Sequence, residues 1–253
     1  MARAGTKLKH QVEFLSRKYH CVVTNPPYMG SKGMNDQLRR FIEEHYNRSK
    51  ADLMTCFMQR CVDLIYDNCL FGIINLPSWL FLGSFEELRK SLLSHYYIDS
   101  LLHMGRGIFG IDFGSVAFVI SKAKSNSKGS YFRLHQRNFQ HIYFQHIEQL
   151  FLRAKNHPDF RYDFKEYRDE EGVSEIPLES SKNGLQLYYP ADQMVFNKIP
   201  GSPIGYWASS NIIKAYDNVD LIENLADVRQ GLATCNNSLF TGLAWSKVIQ
   251  NWF

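Results

Sequence analysis

The sequence has few features of a secreted, membrane-bound or zinc-containing protein. Its 253 residues include five cysteines, which are scattered, odd in number and without a Cys-x-x-Cys pair, and this argues against a disulfide framework or a zinc ribbon. No apolar run approaches the roughly 18 to 20 residues of a membrane-spanning helix, and the polar start of the chain lacks a signal-peptide core. We expect a cytoplasmic protein in a reducing compartment, with no membrane partner.

Metal and phosphate motifs are also missing. His141 and His146 are not spaced as a metal pair on a helix, and no carboxylate accompanies them at ligand spacing, so we predict no metal site. The loop 29–35 contains glycines but does not end in Gly-Lys-Ser/Thr, so it is not a phosphate-binding P-loop. The net charge of +4 and the pI near 8.7 favour a polyanionic partner only weakly.

What the sequence does contain is an alternation of strand-like and helix-like segments. With 45% hydrophobic and 14% aromatic residues, the chain can bury a sizeable core. The run 70–76 is nearly all apolar, as expected of a parallel strand buried on both faces, and 98–104 and 115–121 are further strands. The sequence Ser84-Phe85-Glu86-Glu87 has the form of a capping box that begins a helix. This order predicts an α/β fold with a doubly wound sheet.

The most informative stretch is 20–28, in which an apolar, β-branched run ends in Asn25-Pro26-Pro27-Tyr28, called the NPPY motif below. We expect a buried strand that ends in a rigid loop at its carboxyl end, where open α/β sheets bind ligands. The prolines fix two φ angles and remove two N–H donors, so the Asn25 and Pro26 carbonyls are held as acceptors.

A planar ring with an exocyclic amine fits this loop. The amine donates one hydrogen to the Asn25 side-chain oxygen and the other to the Pro26 carbonyl, while the ring stacks on Tyr28. Adenine is such a ring, and in duplex DNA it reaches such a pocket only by being flipped out of the stack.

The NPPY motif after an apolar strand resembles the catalytic motif of amino-group S-adenosylmethionine methyltransferases, above all the adenine-N6 DNA enzymes. A more specific resemblance is given by the longer string 22–35, Val-Val-Thr-Asn-Pro-Pro-Tyr-Met-Gly-Ser-Lys-Gly-Met-Asn. It is similar to the large adenine-specific methyltransferases of the BREX phage-exclusion systems, the PglX-like proteins, which are related to type IIG restriction-modification enzymes. The four-residue motif alone also occurs in protein-glutamine and RNA methyltransferases.

This resemblance implies the carboxyl half of a Rossmann-like methyltransferase sheet, followed by the start of a mixed α/β target recognition domain. The expected limits are 1–150 for the catalytic part, 151–183 for a linker of mixed charge, and 184–253 for a truncated recognition domain. Segments 200–209 and 225–237 resemble the start of that domain. No Gly-rich strand-to-helix turn and no ribose-binding acid precede the NPPY motif, so the main cofactor motif is absent, and we expect an internal fragment that is inactive alone.

The resemblance also implies direct methyl transfer from S-adenosylmethionine to adenine N6 in double-stranded DNA, in phage defence or restriction-modification. Asn25, Pro26, Pro27 and Tyr28 would be catalytic, with Tyr28 stacking on one face of the flipped base. Phe109 would stack on the other face, and Phe113 is its nearest rival. Other subunits of a phage-defence system are further expected partners. In the family, segment 77–80 borders the active-site cleft, although a core position for its tryptophan, Trp79, is the preferred interpretation.

Four lysines are candidate contacts to the DNA backbone. Lys32 follows the NPPY motif, and Lys122, Lys124 and Lys128 lie in a turn between two strand-like runs, which is typical of a hairpin tip. A solvated loop and a solvated turn are equally compatible interpretations. Two other classes of function also stay open: methylation of a protein glutamine or an RNA base, and a non-catalytic DNA-binding remnant. The substrate that accepts label from a labelled methyl donor distinguishes between them.

Overall fold

The computed structural model describes residues 2–109, 114–137, 140–169 and 172–216, with side chains from residue 8 onward. In these ranges the helices are α1 Ala2–Ser16, α2 Asp36–His45, α3 Leu53–Leu64, α4 Glu86–His95, α5 Phe144–Asn156 and α6 Ser210–Ala215. The strands are β1 Tyr19–Thr24, β2 Ile65–Asn75, β3 Tyr97–Met104, β4 Ser115–Ser121, β5 Gly129–Arg133, β6 Arg161–Tyr162, β7 Leu185–Gln186 and β8 Tyr188–Ala191. Short 3-10 turns cover Ser31–Gly33, Pro77–Leu80, Gly83–Phe85 and Gln193–Lys198.

Six strands form a mixed sheet in the order β1-β2-β4-β3-β5-β8. β1 is parallel to β2, β3 is parallel to β5, and β4 runs antiparallel between β2 and β3. The pairings Thr24 with Ile73 and Met104 with Ser115 place the carboxyl ends of β1, β2 and β3 at the same edge of the sheet. Chain segments that leave these three strands therefore share one edge, called the carboxyl edge below.

Helices cover both faces of the sheet, which confirms the predicted α/β class. On one face Phe71, Ile73 and Phe118 pack with Met58 of α3 and Leu92 of α4, and none of the five is more than 3% exposed. Each such side chain contributes about 1.5–3 kcal/mol relative to an exposed position.

The opposite face is covered by α5. Successive strand residues point to opposite faces, and Leu101 of β3 joins the cluster beneath α3 and α4 while Leu102 packs in a second cluster with Ile147 and Leu150 of α5. This second cluster does not extend over β1, where Val23 is 77% exposed.

The predicted capping box at Ser84 is wrong. A 3-10 turn occupies Gly83–Phe85, α4 begins at Glu86, and its N-cap residue Phe85 makes no side-chain cap bond. The acidic pair Glu86 and Glu87 nevertheless lies in the first helical turn, where negative charge interacts favourably with the helix dipole.

Trp79 is a core residue, as the sequence analysis preferred. Its side chain is fully buried, and its indole Nε1 donates to the Asn75 side-chain oxygen at 2.9 Å. In the described part of the chain, no helix is both long enough and apolar enough to cross a membrane.

The chain divides into two compact units, Met1–Ile213 and Lys214–Phe253. The functional limits 1–150, 151–183 and 184–253 stay a prediction. The first unit extends through the expected linker because that segment contains buried aromatic residues and because β8 pairs with β5. The buried aromatic residues are Phe160, Tyr162, Phe164 and Tyr167. Of the second unit the structure describes 214–216, so the predicted recognition segment 225–237 lies outside the described residues.

Candidate active site

The NPPY motif leaves the carboxyl end of β1 at the carboxyl edge of the sheet. Asn25 and Pro27 are exposed, Pro26 is buried, and Tyr28 is half-buried against the main hydrophobic cluster. The strand ends at Thr24 because the two prolines that follow cannot donate ladder hydrogen bonds. The predicted strand and loop are present, but the prediction that the strand is buried is wrong, because β1 lies at the end of the strand order, none of its residues is buried and Val23 is 77% exposed. The loop presents the Asn25 side chain to solvent.

A hydrogen bond within the motif orients the Asn25 side chain. The Tyr28 hydroxyl donates to Asn25 Oδ1 at 3.0 Å and is 3.4 Å from the carbonyl oxygen of Ile74 at the end of β2. Burial raises the pKa of Tyr28, so the hydroxyl stays protonated and acts as a donor. Asn25 Oδ1 keeps a second lone pair for an incoming donor. The sequence pattern suggested only a stacking role for the Tyr28 ring and gave no signal for this contact.

The second predicted stacking residue lies in the loop after β3. Phe109 is 44% exposed, and the base of its loop is fixed by the Arg106 N–H donating to the Gln140 carbonyl at 2.8 Å and the Ile142 N–H donating to the Arg106 carbonyl at 2.9 Å. Gly107 has φ +114°, and a Cβ there would lie 2.2 Å from the Ile142 carbonyl oxygen, so this turn requires glycine. Phe113, the rival of Phe109, lies outside the described residues.

Phe109 and Tyr28 leave the same edge of the sheet from different strands. β1 and β3 are separated by β2 and β4, so their strand axes are about 14 Å apart. A base held between the two rings therefore requires the Phe109 loop to lean across the ends of β2 and β4. The structure brings the two aromatics to one edge and does not by itself form a sandwich.

A cavity of about 400 Å³ lies between the ends of β2 and β3. Its wall includes Pro77 and Ser78 after β2, Gly105 after β3, and two buried imidazoles, His103 and His135. The rings of the two histidines are 4.4 Å apart. Burial lowers the pKa of both, to about 4 for His135, so both are neutral at physiological pH. Neither histidine could be predicted as part of this cavity, because an isolated histidine carries no sequence signal of its environment.

The structure separates the four candidate lysines into two places. Lys32 is exposed in the turn Ser31–Gly33, directly after the NPPY motif. Lys122, Lys124 and Lys128 follow β4 at the opposite edge of the sheet, because Ser121 pairs with Leu70 near the start of the parallel part of β2. β4 has seven residues, so this turn lies about 20 Å from the carboxyl edge.

The hairpin interpretation of the second lysine group is wrong. β4 and β5 do not pair with each other but flank β3, so 122–128 is a crossing connection rather than a hairpin tip. The Lys122 ammonium is 3.2 Å from the Asp67 carboxylate and 3.4 Å from the Ile65 carbonyl, whereas Lys124 and Lys128 are exposed.

Neither a metal site nor a cofactor site is completed by the described residues. Within the ranges that the structure describes, no three His, Cys, Asp or Glu side chains are grouped to hold a metal ion. β1 is the first strand of the sheet order. These ranges contain no Gly-rich strand-to-helix turn, and on the side of β1 away from β2 they contain no strand that would bring an acid to a ribose. The residues present therefore do not fit S-adenosylmethionine as a complete site.

Comparison with known proteins first gives the class. Residues 2–109, which include β1, the NPPY motif and the sheet through β3, match the family model described as Eco57I restriction-modification methylase. The methyltransferase subunit of a type I restriction-modification system from Streptococcus thermophilus aligns with 55% of this chain and 32% of its own, at 18% identity and a TM-score of 0.39.

Individual relatives point to a more specific family. Over 241 residues the chain is 34% identical to adenine-specific methyltransferase PglX of Lacticaseibacillus casei (strain Zhang), covering 92% of this chain and 17% of that protein. Over 210 residues it is 33% identical to adenine-specific methyltransferase BrxX of Escherichia coli O9:H4 (strain HS), covering 81% and 15%. The chain is therefore a relative of the PglX-like adenine-specific methyltransferases, which confirms the resemblance seen in 22–35. It spans about one sixth of the length of these curated relatives.

Proposed function

We propose that this chain is the part of an adenine-N6 DNA methyltransferase that binds and orients the target amine. The observation that carries the proposal is the oriented Asn25 side chain at the carboxyl end of β1, held by the Tyr28 hydroxyl at 3.0 Å. An exocyclic amine can donate to the free lone pair of Asn25 Oδ1 and to the Pro26 carbonyl. Both acceptors then direct the nitrogen lone pair away from the loop, towards a methyl donor.

The same two acceptors act during the transfer. When the amine nitrogen accepts a methyl group it becomes positively charged before it loses a proton, and fixed carbonyl dipoles next to its hydrogens stabilise that charge. No covalent bond to the enzyme is needed. S-adenosylmethionine is the methyl donor we propose, on the resemblance to PglX-like enzymes, and the residues that the structure describes do not complete a site for it.

Double-stranded DNA with a flipped adenine is the proposed substrate. An adenine in duplex DNA must leave the stack to reach Asn25. The partly exposed Tyr28 ring then offers the flipped adenine a stacking surface. Phe109 is proposed for the second face, after movement of its loop. A role in phage defence, with other subunits of such a system as partners, is part of this proposal and rests on the same resemblance.

The proposal is tested by finding which macromolecule receives the methyl group. This chain is joined to the remaining segments of its PglX relative, a protein called the completed enzyme below, and incubated with labelled S-adenosylmethionine and equal masses of DNA, RNA or protein. We expect label in DNA. Label in RNA, or on a protein glutamine, would instead favour the open alternatives, and DNA binding without transfer to any acceptor would favour a non-catalytic remnant.

Lys32 is the lysine proposed to contact DNA, because it lies in the turn that follows the NPPY motif at the carboxyl edge. Lys32→Ala in the completed enzyme should raise the KM for DNA and reduce the slope of log affinity against log salt by about 1, the effect of one lost phosphate contact. Lys124→Ala is the matched control, since Lys124 is exposed at the opposite edge. Equal salt slopes for the two variants would remove Lys32 from the proposed DNA contact.

A further inference from the structure

A carboxylate far along the chain binds the backbone next to the NPPY motif. Asp52 Oδ1 accepts from the N–H of Met29, the residue after Tyr28, at 3.1 Å. The same oxygen accepts from the N–H of Met54 at 3.0 Å, which makes Asp52 the N-cap of α3. One side chain therefore begins a helix and holds the end of the motif loop.

Backbone contacts on both sides reinforce this connection. The Leu53 N–H donates to the Met29 carbonyl at 2.9 Å, and the Ser31 N–H donates to the Ala51 carbonyl at 3.2 Å. Gly30 and Asp52 form an antiparallel bridge. Both backbone polar groups of Met29, its N–H and its carbonyl, are thus bound by the dipeptide Asp52-Leu53. Tyr28, one peptide bond away, is therefore held at its carboxyl side.

The support beneath Asp52 is rigid. α3 is anchored in the core by Met54 and Met58, both fully buried, and the Thr55 hydroxyl, also buried, contacts the carbonyls of Ser49 and Asp52 at 2.7 and 2.6 Å. A loop bound to the start of such a helix takes its position from the core of the domain rather than from its own two prolines.

We propose that Asp52 is a positioning residue for methyl transfer, which sets the place of Tyr28 and, through the Tyr28 hydroxyl, the orientation of Asn25. This inference rests on the proposed function for its effect on catalysis. Asp52 is not a catalytic residue, because its carboxylate is engaged by Met29 and Met54 backbone and acts on the substrate only through the loop. Its charge strengthens both hydrogen bonds.

Three variants separate positioning from helix capping. Asp52→Ser keeps a cap acceptor for the α3 N–H groups, but its side chain is one atom shorter and does not reach Met29. Asp52→Asn keeps an acceptor in the Oδ1 position. Asp192→Ser is the matched control, because Asp192 caps the turn Gln193–Lys198 with the same contact, Oδ1 accepting from the Met194 N–H at 2.9 Å.

The first measurement uses the chain alone and does not depend on methylation. Amide hydrogen exchange of Met29, followed by NMR, should become about tenfold faster or more in Asp52→Ser, since a charge-assisted hydrogen bond is lost. The increase should be smaller in Asp52→Asn, which keeps a neutral acceptor, and exchange should change little in Asp192→Ser. Unchanged protection of Met29 in Asp52→Ser would overturn the inference, whatever the activity of the enzyme.

The second measurement tests the effect on catalysis in the completed enzyme. Asp52→Ser should lower kcat by about 10²-fold with little change in the KM for DNA, the cost of a misplacement of about 1 Å at the reacting groups. Asp52→Asn should recover most of that loss. A kcat for Asp52→Ser equal to that of Asp192→Ser would limit Asp52 to a structural role. A wild-type enzyme that methylates no DNA would contradict the proposed function, and the exchange measurement would then still show whether Asp52 holds Met29.

Discussion

Replacing Asn25 by alanine is expected to slow adenine methylation by the completed enzyme about 10²-fold or more. The reason is the loss of an oriented acceptor at the atom where positive charge develops, and removal of one such preorganised group has effects of this size. DNA affinity should change little, because Asn25 is a single exposed side chain at the loop and not part of a charged surface. Initial rates at saturating DNA, together with a DNA-binding titration, measure the two effects separately.

Asn25→Asp gives the matched comparison. Aspartate keeps the Oδ1 position and can still accept from both the Tyr28 hydroxyl and the amine, but it adds a charge next to the half-buried tyrosine ring. We expect Asn25→Asp to retain more activity than Asn25→Ala. Near wild-type methylation by Asn25→Ala would remove Asn25 from the mechanism.

Replacing Tyr28 should have two separable effects, because its ring and its hydroxyl do different things. Tyr28→Phe keeps the ring and loses the bond to Asn25 Oδ1, so kcat should fall by about 2- to 12-fold, which corresponds to one hydrogen bond of about 0.5–1.5 kcal/mol. Tyr28→Ala should lose a further 1–3 kcal/mol or so from base stacking, seen as weaker binding of DNA that carries an extruded base.

Tyr28 also packs against the main hydrophobic cluster, so stability has to be measured beside activity. Urea unfolding of the chain should show a clear loss for Tyr28→Ala and a small one for Tyr28→Phe, since only alanine leaves a void. Equal losses of activity for the two variants would mean that the hydroxyl alone matters and that Tyr28 is no stacking surface. Full activity of Tyr28→Phe would mean that the bond to Asn25 is not used in catalysis.

Local patterns predicted the parts of the fold that depend on neighbouring residues. The strand 115–121 was predicted with the limits that it has, and the NPPY motif ends β1 where its prolines require. A cluster of β-branched and apolar residues followed by residues that cannot continue a strand defines such elements without reference to the rest of the chain.

Long-range arrangement was beyond those patterns. That β4 inserts antiparallel between β2 and β3 follows from pairing across the sheet, and this insertion takes Lys124 and Lys128 to the opposite edge from the NPPY motif. The expected linker 151–183 has mixed charge, which concealed aromatic residues such as Phe160 and Phe164 that are buried in the second cluster. Composition averages over faces, whereas burial depends on single positions.

The same difference between local patterns and long-range contacts applies to the candidate site. The motif residues were found because their chemistry is contiguous in sequence. The contact of Asp52 with Met29 was not predicted, because it joins residues that are distant in sequence. The contact of the Tyr28 hydroxyl with Asn25 was not predicted, because it depends on the rotamer of a half-buried ring. The histidines His103 and His135 meet only because β3 pairs with β5, which brings the segment after β5 beside His103.

The identity of the methylated nucleoside decides whether this chain belongs to an adenine-N6 methyltransferase. DNA modified by the completed enzyme with labelled S-adenosylmethionine is digested to nucleosides and analysed by mass spectrometry, for the wild type and for Asn25→Ala. We predict label in N6-methyladenine for the wild type and a loss of about 10²-fold or more for Asn25→Ala. Label on another nucleoside, such as N4-methylcytosine, or undiminished N6-methyladenine with Asn25→Ala, would contradict the account.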